Sequence, residues 1–132
     1  MTPPGKVSLY EAIAEDDGLS RLVRAFYDII EQAPEAQELH LLHRRGHGIA
    51  HSRIEQFDYL SGFLGGPQHY VQRHGHSRLR EIHDHVPIGP DMRDLWLKCM
   101  MKAVAVAGIT EPTASLLMQH LTRAAEIARN QD

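Results

Sequence analysis

The sequence predicts an all-α protein, and three observations carry that reading. Apolar residues recur at spacings of three and four along most of the 132 residues, as they do in helices that bury one face. No stretch alternates apolar and polar residues in the manner of a half-buried strand. Glycine and proline cluster between the periodic stretches, which divides the chain into four substantial helices able to form two antiparallel pairs.

Each element has its own signals. Residues 1–7 hold two prolines and a glycine without an apolar signal core, so they read as a loose tail before one domain over 8–132. Ser8 suits the N-cap of a short first helix with Leu9 and Ile13 on one face. A second helix keeps Leu19, Leu22, Val23, Phe26 and Ile30 in register up to about Gln32, and Pro34 stops it. Residues 40–51, rich in His, Arg and Gly, show no period of their own and read as a loop. A third helix starts near Ile49, buries Ile54, Phe57, Leu60 and Leu64, and ends at Gly65-Gly66-Pro67.

Residues 67–90 are the anomaly. Gly75, Pro87, Gly89 and Pro90 interrupt them and little amphipathic pattern survives, yet they include Leu79, Ile82, Val86 and Ile88. An irregular stretch of that length inside a compact domain is more often functional than idle. From Asp91 the clearest helix places Met92, Leu95, Trp96, Cys99, Met100, Ala103 and Ala107 on one face until Gly108. Thr110 then caps a last helix, with Pro112 in its first turn and Leu117, Leu121, Ala124 and Ala128 inward.

Composition excludes several classes of function. An apolar content of 42% is ordinary for a globular chain, and a net charge of -3 provides no basic footprint for nucleic acid. No apolar run approaches the roughly 20 residues of a membrane span. A single cysteine cannot close an internal disulfide, so a reducing cytoplasm fits best. Histidine is the outlier: there are ten, five of them between His69 and His85. A structural zinc site would want tightly spaced ligands, usually with cysteines, and this stretch has none.

His83 stands apart from the other histidines because Leu79 and Ile82 precede it. One face of that turn can be buried while the imidazole points inward, with its second nitrogen held by a nearby main-chain carbonyl. As a metal or cofactor ligand it competes with the commoner reading of a satisfied, half-buried histidine. Tyr27, one past Phe26 at the edge of the second helix's apolar stripe, and Trp96, within the stripe of its own helix, are core aromatics by default. A buried indole needs an acceptor, however, and Met92 and Met100 provide none. Gln56 is likewise a polar group near an inward face. Phenol, indole and amide converging opposite a histidine would suit a diatomic ligand that carries partial negative charge.

Three segments resemble truncated haemoglobins of the second group, in the family's order and with near-family spacing. The first is Tyr70-Val71-Gln72-Arg73-His74-Gly75-His76-Ser77-Arg78-Leu79-Arg80, where the family has proline in place of Ser77. The others are Ser61-Gly62-Phe63-Leu64-Gly65-Gly66-Pro67 and Arg93-Asp94-Leu95-Trp96-Leu97-Lys98-Cys99-Met100. The resemblance covers residues 8–128. It implies a truncated globin, a two-over-two helical sandwich around b-type haem (iron protoporphyrin IX), with His83 as proximal iron ligand. It puts Tyr27 and Trp96 on the distal side, with Ser52 and Gln56 as the two distal positions of the third helix. His43 best matches the residue facing the haem edge, although two extra residues nearby let His40 and His47 compete for that role. Phe57 joins the cofactor contacts. The basic residue that usually precedes the proximal histidine is replaced by Ile82, which leaves Tyr70 and Arg80 as candidate propionate partners.

The activity implied is binding of dioxygen, nitric oxide or carbon monoxide, for ligand redox chemistry or detoxification rather than bulk oxygen transport. Nitric oxide dioxygenase- or peroxidase-like turnover would need an external reductase. The protein would be a monomer or homodimer with neither nucleic acid nor membrane as partner. Two competing readings stand beside it. One is a histidine-rich helical module that takes zinc or copper without haem, and the other is a haem-free interaction domain on the same architecture.

Overall fold

The computed structural model describes residues 7–45, 48–84 and 86–132; nearly all of the expected tail, together with His47 and His85, lies outside them. The described residues form α-helices and no strand. In chain order these are α1 (Leu9–Ala12), α2 (Glu15–Gln32), α3 (Gln37–Arg45) after a 3-10 turn at Pro34–Ala36, and α4 (Ile49–Phe63). Then come α5 (His69–His74), α6 (Leu79–His83), α7 (Pro90–Val106) and α8 (Thr113–Ala128). The long helices set the architecture: α2 lies against both α4 and α7, and α7 lies against α8.

The core follows from the apolar spacing. Leu19, Leu22, Phe26 and Ile30 of α2 meet Met100, Ala103 and Val104 of α7 and Leu117 and Leu121 of α8 in one buried cluster. Each large side chain removed from water there contributes about 1.5–3 kcal/mol. Glu15, Asp16 and Asp17 in the first turn of α2 complement the positive end of its dipole. Arg53 braces α4 against α2, donating to Asp28 at 2.9 Å and Glu31 at 3.2 Å.

At the N-terminal end, Ser8 caps α1 as expected, its hydroxyl accepting from the Glu11 amide at 3.1 Å. Ile13 goes inward with Tyr10, whereas Leu9 is only half-buried. The Tyr10 amide donates to the Leu64 carbonyl at 2.9 Å, so α1 docks on the end of α4. Glycine is required there, since a Cβ on Gly66 would sit 2.6 Å from the Tyr10 ring. Ser61 secures the same corner, donating from its buried hydroxyl to the Pro67 carbonyl at 2.8 Å.

Several expectations are corrected. Residues 40–45 belong to α3, which runs Gln37–Arg45. Among its described side chains the inner face is Leu39, Leu42 and His43, a stripe too short to register as a period among charged neighbours. Ile54 is 60% exposed rather than buried, and Phe57 is only half-buried. Leu60 and Leu64 are buried as expected. Residues 67–90 contain α5 and α6, each too short to show a hydrophobic repeat. Helix α8 starts at Thr113 with Pro112 as its N-cap residue, not at a Thr110 cap with Pro112 inside the first turn. Its inward set of Leu117, Leu121, Ala124 and Ala128 is buried as read.

Among the described glycines Gly18 makes the tightest backbone contact, because an added Cβ would lie 1.4 Å from the Ile13 carbonyl oxygen. Gly18→Ala should therefore destabilise the protein by at least about 1–3 kcal/mol despite alanine's better helix propensity. Urea unfolding tests this, and a variant as stable as the wild type would contradict the packing at the α1–α2 junction.

Candidate functional site

Helix α4 shows why its inward face was misread. Ser52, Glu55, Gln56, Tyr59 and Leu60 recur at i, i+3, i+4, i+7 and i+8, and all five line one cavity. That face is polar over most of its length, while Ile54 and Phe57 point elsewhere. Phe57 instead lines a shallow hollow with Ser20, Val23, Arg24, Arg53 and Ile54. The α4 face looks into space rather than into a packed core, so hydrophobicity was a poor guide to its direction.

The cavity has a volume of about 340 Å³, within the usual range for a bound small molecule. One wall is α6 and the segment after it (Leu79, Ile82, His83, Val86, Ile88), backed by Leu121, Ala124, Ala125 and Ala128 of α8. The three alanines end at Cβ, which leaves a flat apolar surface. The opposite wall carries Tyr27 of α2, Leu39, Leu42 and His43 of α3, and Ser52 and Gln56 of α4. Met92, Arg93 and Trp96 enter from α7.

His83 is set by its own helix. Its Nδ1 donates to the Leu79 carbonyl at 2.8 Å, four residues back. In that tautomer Nε2 is the basic nitrogen, the state a metal requires of an imidazole. His43 repeats the arrangement, Nδ1 donating to the Leu39 carbonyl at 2.8 Å. Burial holds its pKa below the ordinary histidine value, the Leu39 carbonyl opposes this, and the charges of His83 and His40 push the same way as burial. His43 is therefore neutral at pH 7.

Tyr27 is 2% exposed. Its ring meets Phe26 edge-on at 4.9 Å and His43 at 5.6 Å, and the Arg53 guanidinium lies 5.6 Å from its centroid. Burial raises the phenol pKa well above its usual value, against a small opposing effect of Arg53, so the hydroxyl stays a donor. Trp96 is half-buried and leans on Phe26 at 5.4 Å. Among the described residues no side-chain polar atom sealed from solvent lacks a partner. The side-chain donors of Tyr27, Trp96 and Gln56 make no hydrogen bond among those residues, and all three residues line the cavity.

Polar and charged groups gather at the rim, His51, Glu55, His74 and Arg93, with Tyr70 buried beside them. Glu55 accepts from Arg73 and from His74 Nε2, both at 2.8 Å. Burial opposes its charge, but these partners outweigh it and hold the carboxyl below the usual carboxylate range. Arg93 is tied to Asp94 at 3.0 Å and to Glu126 at 2.5 Å.

Of the residues singled out in the sequence, the cavity brings together His83, Tyr27, Trp96, Gln56, Ser52, His43 and Tyr70. Phe57 and Arg80 do not line it. Arg80 is exposed because the cavity face of α6 is Leu79, Ile82 and His83. His40 is absent from the lining as well, and His47 is outside the described residues. Sequence reasoning missed His51, Glu55, His74 and Arg93. Two of them carried a signal: Arg93 is three residues before Trp96, and His74 four after Tyr70, each on its partner's face. Among the described residues no three His, Cys, Asp or Glu side chains gather as a metal site.

The bacterial-like globin family matches residues 8–130. The chain is 32% identical over 122 residues to the group 2 truncated hemoglobin YjbI of Bacillus subtilis, covering 92% of this chain and 88% of that one. Its fold is similar to the group II 2-on-2 hemoglobin of Agrobacterium tumefaciens, with a TM-score of 0.90, 35% identity, and 99% and 100% of the two chains covered. It is also similar to a truncated oxygen-avid haemoglobin from Bacillus subtilis, with a TM-score of 0.80, 30% identity, and 94% and 100% covered. The chain belongs to the bacterial-like globins, and within them to the truncated haemoglobins of the second group. It is thus a two-over-two haem globin that binds small ligands.

The His43 environment generates a pH prediction. Its folded pKa lies below the unfolded value, so the unfolded chain binds the extra proton first. The resulting stability is complete above the unfolded pKa and is lost as pH falls through the folded one. Haem-free protein should lose stability as pH falls below the ordinary histidine range, and His43→Leu should remove part of that loss. Urea unfolding across the range decides it; parallel wild-type and variant curves would contradict the assignment.

Proposed function

We propose that this chain holds b-type haem in the described cavity through His83 Nε2 and acts on small diatomic ligands at the opposite wall. The observation that carries the reading is a single cavity with a carbonyl-anchored imidazole on one wall and three unengaged donors among its other residues. The residues fit the group: the alanines of α8 give an apolar bed, His83 lines the same cavity with Nε2 as its basic nitrogen, and Tyr70, His74 and Arg93 are lining groups able to donate to two carboxylates. Bound there, haem would supply an iron centre able to take a diatomic ligand and exchange electrons with it.

The chain's own residues then divide the work. Leu79 fixes the His83 tautomer and raises its basicity through the Nδ1 hydrogen bond. Tyr70, His74 and Arg93 are the lining groups suited to the propionates. Tyr27, Trp96 and Gln56 donate to partial negative charge on the ligand, and Ser52 and His43 complete that wall. Each net neutral hydrogen bond contributes about 0.5–1.5 kcal/mol. Several such donors slow ligand release, which favours redox chemistry or detoxification over bulk oxygen transport. One solved relative is described as oxygen-avid. Nitric oxide dioxygenase- or peroxidase-like turnover would draw electrons from a separate reductase. Dioxygen, nitric oxide and carbon monoxide are the ligands of this class.

No helix among the described residues is long and apolar enough to cross a membrane. Cys99 is buried, and burial pushes its thiol pKa up, so it is held as an unreactive thiol. A cytoplasmic location is part of the proposal, on the basis of that single cysteine.

Two experiments test the proposal. Haemin added to haem-free protein should bind one equivalent with a Soret band, and His83→Ala should lose most of it while His85→Ala retains it. Wild-type haem content in His83→Ala would refute the ligand assignment. Trp96→Phe and Tyr27→Phe should each speed oxygen release, by about tenfold if a hydrogen bond of about 1.4 kcal/mol is lost entirely in dissociation. Unchanged release in both would leave these residues as packing alone.

A further inference from the structure

Helix α6 presents His83 yet has little means of holding itself in place. It is five residues long, no side chain caps it, and none of its residues is fully buried. A helix this short has no stability of its own, and just past its end the His83 carbonyl accepts from the Val86 amide at 3.1 Å. The segment after α8 adds partners to this turn. After α8 ends, the Asn130 carboxamide donates from Nδ2 to the His83 carbonyl at 3.0 Å and to the Val86 carbonyl at 2.8 Å. Its Oδ1 accepts from the Ile88 amide at 2.8 Å. The backbone amides of Asn130 and Gln131 both donate to the Ile88 carbonyl, at 2.9 and 3.1 Å.

These contacts use the Asn130 side chain fully in one direction. Two carbonyls face its nitrogen and one N–H faces its oxygen, so the flipped amide would oppose like to like at three contacts. The partners lie 42 to 47 residues away in sequence. The segment carrying the imidazole is thus fastened to the end of α8, whose Ala124, Ala125 and Ala128 back the same cavity wall.

We propose that Asn130 is a positioning residue for the proximal imidazole: by clasping the His83 and Val86 carbonyls and the Ile88 amide, it sets how His83 meets the iron and how firmly haem is retained. The proposal rests on haem ligation by His83. It predicts that the clasp is felt at the iron–histidine bond and not only in the stability of the fold.

The test uses haem-loaded wild type, Asn130→Ala and Asn130→Asp. Aspartate keeps an acceptor for the Ile88 amide but replaces both donors with oxygen facing two carbonyls. Both variants should surrender haem to excess apomyoglobin about tenfold faster or more, as for lost partners behind a metal-bound histidine. Resonance Raman of the ferrous variants should show the iron–histidine stretch shifted or broadened. Gln131→Ala, whose contact to Ile88 is made by its backbone, should behave as wild type. Gly18→Ala, which weakens the fold elsewhere, should leave the iron–histidine band unmoved. In haem-free protein the Ile88 amide should exchange faster in Asn130→Ala, whereas Asn130→Asp should retain its protection. Haem loss within about twofold of wild type in both variants, with the band unmoved, overturns the proposal. Wild-type protein that takes up no haem overturns the ligation reading itself, and the proposal with it, before any variant is compared.

Discussion

The structure depends on holding one imidazole at the wall of an interior cavity. A packed core positions its side chains by mutual contact, but His83 stands where packing stops. Its tautomer comes from one hydrogen bond within α6, and α6 is held against α8 and by Asn130 just beyond it. The long helices have a complementary task. The Leu19, Leu22, Phe26 and Ile30 stripe and its partners on α7 and α8 form a dense cluster on one side, which lets the other side remain open.

The opposite wall answers to a different constraint. A polar group in a cavity must find a partner or face whatever fills the space. The phenol of Tyr27 is kept protonated by burial and is steered by Phe26, His43 and Arg53, so its direction is set before any ligand arrives. Arg53 links this wall to the exterior of the fold, since the ion pairs that tie α4 to α2 also bring its guanidinium over the Tyr27 ring. Stability and site geometry therefore share residues on the α2–α4 side.

Much of this was legible in the residues, and what was missed has a physical pattern. Helices α2, α7 and α8 were readable because apolar residues pack against apolar residues there. His83, Tyr27 and Trp96 were conspicuous as polar groups on or beside buried faces, and the family resemblance gave them a common destination. Helix α4 was readable as an element but not in its orientation, because its inner face of Ser52, Glu55, Gln56 and Tyr59 is polar. The same reasoning misplaced Phe57. Helices α3, α5 and α6 are too short for periodicity to emerge above a background of histidine and arginine. Arg80 drew attention by its charge and proximity to His83, yet a five-residue helix has room for only one inward face, and Leu79, Ile82 and His83 occupy it. Asn130 gave no signal at all, since its role is made by contacts more than forty residues distant.

A crystal structure of the haem-loaded protein tests the central claim most directly. The account predicts iron bonded to His83 Nε2, with the porphyrin lying along Ala124, Ala125 and Ala128 and with Tyr27 and Trp96 across the iron from His83. Iron ligated on that side by any other residue, or haem seated outside this cavity, would contradict it.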